Sequence, residues 1–138
     1  MSVHAYINYD GNCRDAVMFY KEVFGTEEPE IMTYGDAPPD GDYPIKEEHK
    51  PLVMHTALDI FGSMVMFSDL LPGEPFTVGN NISLVVMIKN IDEIESLFTK
   101  LKSGGSVEME LGETFFSKYY GSVKDKFGII WQLMYDDM

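Results

Sequence analysis

The hydrophobic pattern of the chain begins with a period of two and then changes to a helical period. Between Val3 and Tyr9, apolar and polar residues alternate, which is typical of a strand whose two faces meet different surroundings. From Cys13 to Phe24 the apolar residues recur at helical spacing, and Gly25 follows as a helix stop. The pattern predicts a strand, a short turn and a helix.

Further strands and a second helix follow from the same patterns. The second helix is predicted over Asp92–Lys102, where apolar residues again recur at helical spacing. Residues 35–50 are rich in proline and glycine and predict a long loop, which is either a lid or a plain connection. The further strands are predicted over Glu30–Tyr34, Leu52–Ile60, Met64–Ser68, Ser83–Ile88, Val107–Leu111, Phe116–Lys124 and Ile129–Tyr135.

Two stretches of the chain repeat each other. Asp59–Phe67 and Asp125–Leu133 both begin with an Asp-x-Phe-Gly turn and continue as an apolar strand. The helical pattern upstream also occurs twice, as expected for a duplicated unit. The sequence therefore predicts an α+β fold, with one domain over 1–138 built of two βαβββ modules at about 1–72 and 80–138.

Composition limits the partners of this protein. The chain has 138 residues, of which 45% are hydrophobic, and this is enough for one folded domain. A net charge of -13 repels the phosphates of nucleic acids and of anionic membranes. No secretion signal or apolar run of membrane length is visible, and the single cysteine can form no intramolecular disulfide. We expect a cytoplasmic protein with no nucleic-acid or membrane partner.

The predicted hairpins place polar residues on one face of each module, and the duplication makes the cleft between the halves the expected site of function. A symmetric turn about Phe61-Gly62 pairs Ala57 with Met66, which directs His55 to the same face as Met66. By the same rule Val123 lies opposite Gln132, and Tyr119 joins that face. A histidine there could move a proton, or it could be a hydrogen-bonded core residue. The predicted cavity residues are His4, Tyr6, His55, Ser68, Tyr119 and Gln132.

Two conspicuous side chains are predicted to pack in the core. Trp131 alternates with Gln132 and should point to the helix side of its sheet, although stacking on a ligand is the alternative. Cys13 lies at a helix start, where a thiolate is favoured, but it has no histidine near it in sequence. We interpret Cys13 as structural.

The order of these motifs resembles the vicinal-oxygen-chelate superfamily, which contains glyoxalase I, bleomycin- and fosfomycin-resistance proteins and extradiol dioxygenases. The similarity is greatest to the PhnB-like branch, also labelled 3-demethylubiquinone methyltransferase-like, and it covers nearly the whole chain. The segments that carry it are Tyr6–Ala16, Phe19-Tyr20, Val23–Gly25, Met54–Leu58, Ser68-Asp69, Asn81–Leu84, Tyr120-Gly121, Asp125, Phe127-Gly128 and Trp131.

The resemblance implies a cleft between the modules and a divalent metal inside it. The superfamily's metal positions fall here on His4, Met66, Ser83 and Gln132. Met66 is a soft thioether, and Gln132 replaces the usual glutamate, so this is a poor ligand set for magnesium, manganese or zinc. If a metal binds at all, we expect His4 and Gln132 to hold it, and we expect no obligatory cofactor. The resemblance also implies a homodimer.

Three functional hypotheses follow. The first is a small-molecule-binding PhnB-like protein of unassigned reaction, with His4, His55 and Gln132 as catalytic candidates and Tyr6, Ser68 and Tyr119 as substrate-binding candidates. The second is a metal-dependent lyase or isomerase of glyoxalase type. The third is a non-enzymatic binder that sequesters an aromatic drug. Methyl transfer is not predicted, because the sequence lacks the glycine-rich strand-to-helix loop of a nucleotide cofactor fold.

Overall fold

The computed structural model describes residues 1–38, 41 and 44–137. The chain divides into two compact units, the first Met1–Phe76 and the second beginning at Thr77. Each unit contains one α-helix and one four-stranded sheet.

The first unit has the strand order β1-β4-β3-β2, with β1 parallel to β4 and the other pairs antiparallel. The helix α1 connects β1 to β2. Its bounds are those predicted from the periodicity. The elements of this unit are β1 (Tyr6–Tyr9), α1 (Cys13–Phe24), β2 (Met32–Thr33), β3 (Val53–Ile60) and β4 (Ser63–Asp69).

The second unit repeats this arrangement, with the strand order β5-β8-β7-β6 and β5 parallel to β8. The predicted α+β fold of two βαβββ modules is therefore confirmed. The elements of this unit are β5 (Leu84–Ile88), α2 (Ile91–Lys102), β6 (Ser106–Gly112), β7 (Tyr120–Lys124) and β8 (Ile130–Tyr135).

Several predicted strands are shorter than expected. Strand β7 begins at Tyr120, not at Phe116, because Thr114 and Ser117 close a turn in which each backbone N–H donates to the other residue. Strand β2 has only two residues. The predicted loop 35–50 contains the short 3-10 helix Glu47–His49, and part of this loop lies outside the described residues.

Each helix covers one face of its own sheet. In the first unit the ring of Tyr20 on α1 stacks on Phe67 of β4, with centroids 5.8 Å apart. In the second unit Leu97 and Leu101 of α2 are buried, as is Trp131 of β8. The burial of Trp131 agrees with the prediction that it packs in the core. The opposite face of each sheet, which we call the far face, carries the alternate side chains.

The first hairpin turn fixes the register between β3 and β4. Phe61 and Gly62 have φ values of 51° and 88°, which is the two-residue turn that matches the twist of paired strands. The ring of Phe61 contacts Phe24 edge to face at 5.9 Å, and this contact offsets the strain of a positive φ at a non-glycine residue. Ala57 pairs with Met66 as predicted.

The second hairpin turn is one residue longer, and the predicted register is wrong there. Asp125 N–H donates to Ile129, so the loop contains Lys126, Phe127 and Gly128, and Gly128 has a φ of 90°. Consequently Ser122, not Val123, lies opposite Gln132. A one-residue shift exchanges the two faces of a strand.

Asp69 is a buried carboxylate that joins three segments of the first unit. Its Oδ1 accepts the backbone N–H groups of Gly11 and Cys13, and its Oδ2 accepts that of Val53. The end of β4 is thereby joined to the start of α1 and to the start of β3. The side chain is 1% exposed, so these bonds do not compete with water.

We predict that Asp69→Asn lowers the free energy of unfolding by about 2–4 kcal/mol. The N–H₂ group of the asparagine would face at least one of the three backbone N–H donors and leave it without an acceptor. Urea unfolding followed by circular dichroism measures this change. Asp59→Asn is the matched control, since exposed Asp59 accepts from Gly62 and an amide oxygen can still do so. Equal stability of the two variants would contradict the proposed role of Asp69.

Cys13 begins α1 and is fully buried. Burial, helped by the negative charge of Asp69, raises the pKa of its thiol to about 12 from an ordinary value of 9.0. The side chain is therefore protonated at neutral pH, and it lacks the low pKa that distinguishes a reactive cysteine.

We predict that native Cys13 resists alkylation by iodoacetamide at pH 8.5 and reacts quickly in urea. The folded protein holds the thiol proton more tightly than the unfolded chain. This contribution to stability is therefore complete below pH 9.0 and declines as the pH rises toward 12. Mass spectrometry of the alkylated protein checks the prediction, and rapid stoichiometric labelling of the native protein would contradict it.

Candidate functional site

The sheet of the first unit, which we call sheet 1, carries most of the polar residues predicted in the first module on its far face. Tyr6 of β1 lies beside Met66 of β4, and Met66 pairs in turn with Ala57 of β3. Tyr6 is 48% exposed. The alternation of side chains places His55, two residues before Ala57, on this face as well.

Tyr6 and His55 form a pair on this face. The hydroxyl of Tyr6 lies 3.3 Å from Nδ1 of His55, and the ring centroids are 5.8 Å apart. Both side chains are partly accessible to solvent. A phenol hydrogen-bonded to an imidazole can hold or transfer a proton at the ring nitrogens.

Ser68 and His4 make other contacts on this unit. The hydroxyl of Ser68 donates to Oδ1 of Asn8 at 2.8 Å. His4 lies 3.0 Å from the carbonyl oxygen of Met64 through Nδ1 and 2.8 Å from the hydroxyl of Ser2 through Nε2. A carbonyl oxygen only accepts, so Nδ1 of His4 carries the hydrogen and Nε2 accepts from Ser2.

A chain of three hydrogen-bonded side chains lies on the far face of sheet 2, the sheet of the second unit. The hydroxyl of Tyr120 donates to Oε1 of Gln132 at 2.6 Å, and Nε2 of Gln132 donates to Oγ of Ser83 at 2.6 Å. Phe116 contacts Tyr120 edge to face, with centroids 5.1 Å apart, and is 51% exposed. Polar donors and an accessible aromatic ring therefore adjoin each other.

Tyr119 does not lie on the face predicted for it. Its hydroxyl donates to Glu95 of α2 at 2.9 Å, and this hydrogen bond raises the pKa of Tyr119. The register of the second hairpin explains the difference, because it places Tyr120 and not Tyr119 beside Gln132.

Sequence reasoning missed Tyr120 and Asn8. A signal for Tyr120 lay in the two copies of the Asp-x-Phe-Gly motif, which have Ile60 and Lys126 at the variable position. An apolar residue there continues the strand, whereas a lysine indicates that the turn has begun, so the second turn is longer. Asn8 had no comparable signal. The catalytic roles of His4, His55 and Gln132 stay predictions.

The residues at the superfamily's metal positions do not fit a divalent ion. Both ring nitrogens of His4 have partners, Met66 offers a thioether, and the amide oxygen of Gln132 accepts from Tyr120. Ser83 adds only a neutral hydroxyl. Within residues 1–38, 41 and 44–137 no three His, Cys, Asp or Glu side chains converge as a metal site requires.

Neither helix among the described residues has the length and apolar character that a bilayer crossing requires.

The chain is similar to known proteins over nearly its whole length. It is 28% identical to Protein YjdN of Escherichia coli strain K12 over 141 residues, spanning 96% of this chain and 94% of that protein. Protein PA1353 of Pseudomonas aeruginosa is 29% identical and has a TM-score of 0.86, with coverage of 99% of this chain and 98% of that one. A putative 3-demethylubiquinone-9 3-methyltransferase, PhnB protein, of Bacillus cereus is 28% identical, with a TM-score of 0.76 and coverage of 99% of this chain and 100% of that one.

The fold is shared more widely. A glyoxalase/bleomycin resistance protein/dioxygenase family enzyme of Burkholderia phytofirmans has a TM-score of 0.63 at 17% identity, over 95% of this chain and 96% of that one. The family model described as 3-demethylubiquinone-9 3-methyltransferase matches residues 2–134. The chain belongs to the family that this model describes.

Proposed function

We propose that this protein binds a small molecule that carries oxygen acceptors and a planar group, and that it does so through neutral hydrogen-bonding side chains without an obligatory metal. The hydrogen-bond chain Tyr120–Gln132–Ser83 is the observation that carries the proposal. It consists of polar side chains on a sheet face that their own helix does not cover, which is a common setting for ligand recognition.

The donor-to-acceptor direction of this hydrogen-bond chain shows which groups the ligand should present. Tyr120 uses its hydrogen on Gln132, and Gln132 uses one amide hydrogen on Ser83. The hydroxyl hydrogen of Ser83 and the second amide hydrogen of Gln132 are then available to a ligand. Both are donors, so the ligand should present a carbonyl, hydroxyl or ether oxygen.

The ring of Phe116, beside the hydrogen-bond chain, favours a ligand with a planar group. Phe116 is half exposed and stands edge to face against Tyr120. Val85 of β5, the strand neighbour of Gln132, is also exposed. A ring placed here would bury apolar surface while its oxygen reaches Ser83 and Gln132.

The pair Tyr6–His55 is the group best able to move a proton in the first unit. When the hydroxyl of Tyr6 donates to Nδ1 of His55, Nε2 of His55 carries the imidazole hydrogen and is a donor. When Nδ1 carries the imidazole hydrogen and donates to the oxygen of Tyr6, Nε2 is a free base. If Nε2 takes a proton from a ligand and returns it at another atom, the ligand is converted to a product and the protein is an enzyme; a ligand that is bound and released unchanged makes it a binder.

The family's description names a methyl transfer, and we do not extend that chemistry to this chain. The loop from β1 to α1 is Asp10-Gly11-Asn12, and the loop from β5 to α2 is Lys89-Asn90. Neither is a glycine-rich loop that would cradle a nucleotide cofactor.

We predict that Tyr120→Phe weakens binding of ring-bearing carbonyl compounds about three- to tenfold, because Gln132 loses the partner that orients its amide. A panel of aromatic ketones and quinones, screened by thermal shift and then titrated by calorimetry, measures this effect. Tyr119→Phe is the matched control, since it removes a hydroxyl that contacts only the helix side.

The same titration distinguishes the candidate functions. A compound that the wild type converts to a product, detected by mass spectrometry or by NMR, and that His55→Gln leaves unconverted identifies an enzyme. A compound that binds tightly and is recovered unchanged favours the sequestering binder. If Tyr119→Phe weakened binding as much as Tyr120→Phe, the placement of the site would be wrong.

We predict that protein stripped with a chelator keeps its melting temperature and its ligand affinity, and that added Mn²⁺, Zn²⁺ or Ni²⁺ raises neither. The reason is that His4, Met66, Ser83 and Gln132 are a poor set of donors for a divalent ion. Elemental analysis of the purified protein is the measurement, with His4→Ala as the companion variant. A stoichiometric ion that is lost in His4→Ala would establish the metal-dependent alternative.

The cleft between the modules, the homodimer and the cytoplasmic location stay predictions.

A further inference from the structure

The outer edge of strand β3 is only partly covered. Strand β2 pairs with it at two positions, Met32 opposite His55 and Thr33 opposite Val53. Beyond His55, β3 continues for five residues to Ile60. Its other side is fully paired with β4 over this length.

Two residues of this uncovered stretch direct their backbone groups outward. The N–H of Met66 donates to Ala5 on the β1 side of the sheet. Because N–H and C=O of one residue point to the same side of a strand, Ala57 opposite Met66 is not hydrogen-bonded to β4. The same holds for Asp59, two residues further. In the part of the chain that the structure describes, no backbone group pairs with these outward groups.

A groove of about 750 Å³ runs along this edge, between β3 and the segment Gly25–Glu30 that follows α1. Contacts at both ends hold its walls in place. Near one end the hydroxyl of Thr56 donates to the carbonyl of Glu30 at 2.8 Å, and near the other Phe24 packs against Phe61. The groove therefore exists before any partner arrives.

The groove carries negative charge, which favours a positively charged partner. Exposed carboxylates of Glu27, Glu30 and Asp59 line it, and no described basic side chain forms a salt bridge with them. Glu28 is neutralised by Lys21 at 2.6 Å. A second copy of this chain would bring an equally acidic edge, and acidic edges repel one another.

We propose that this edge is a docking site for an extended, basic segment of another protein, which adds to sheet 1 as a strand beyond β3. Its backbone pairs with Ala57 and Asp59, and its lysine or arginine side chains lie against Glu27, Glu30 and Asp59. Main-chain bonds supply the fit in such strand addition, and the side chains supply the selectivity.

A fluorescent, capped six-residue peptide of alternating lysine and valine tests the proposal by anisotropy titration of the full-length protein. We expect saturable binding, together with slower amide hydrogen exchange at Ala57 and Asp59 measured by NMR. The same peptide with N-methyl groups on alternate backbone nitrogens should bind at least about tenfold more weakly, since strand addition needs those donors.

Two charge-matched variants locate the site. Glu27→Gln with Glu30→Gln should weaken the peptide about three- to tenfold, whereas Glu108→Gln with Glu110→Gln on β6 removes the same charge and should change binding less than about twofold. Ala57→Pro removes one outward N–H and should weaken binding too. If that variant unfolds, the N-methylated peptide provides the same test.

Three outcomes would overturn the proposal. The first is no binding at low ionic strength. The second is an equal loss from both pairs of glutamate variants, which would mean general attraction to an acidic protein. The third is full competition by the small polyamine spermidine without any change in amide exchange at Ala57, which would indicate a cation site and not a strand site.

Discussion

The buried carboxylate of Asp69 holds the first unit together. It accepts three backbone N–H groups from two separate segments, at the start of α1 and at the start of β3. A helix start and a strand start both leave N–H groups unpaired, and a buried carboxylate satisfies several of them at once. Asp125 of the second unit also accepts three hydrogen bonds, but within its own hairpin, from the backbone N–H groups of Phe127 and Ile129 and from the indole of Trp131.

The hydrogen bonds of Asp69 and Asp125 do not involve the far face of either sheet, so the side chains on those faces can vary. The side chains that pack against the helices are fixed by burial, and the alternate side chains are not. Turn length then decides which alternate residues reach that face. In the second unit the additional turn residue brings Tyr120, and not Tyr119, to Gln132. The candidate binding surface thus depends on a loop that lies a whole strand away.

The polar side chains at the expected metal positions on the far faces are engaged with partners in the protein. Gln132 is engaged as an oriented amide between Tyr120 and Ser83, and His4 is engaged by Ser2 and Met64. Neutral donors bind oxygen acceptors without adding charge. They therefore suit a protein with a net charge of -13, from whose surface a free anionic substrate is repelled.

The sequence by itself determined the fold class, the duplication, the bounds of α1 and the register of the first hairpin. Each of these follows from local periodicity or from a two-residue turn that needs positive φ at Phe61 and Gly62. Only the tertiary structure decided the register of the second hairpin and the uncovered edge of β3. The repeated motif was the same in both copies, but the turn was not, and the extent of β2 depends on backbone hydrogen bonds with residues far along the chain. Such pairing leaves no periodic trace in the sequence, because backbone groups are common to all residues but proline.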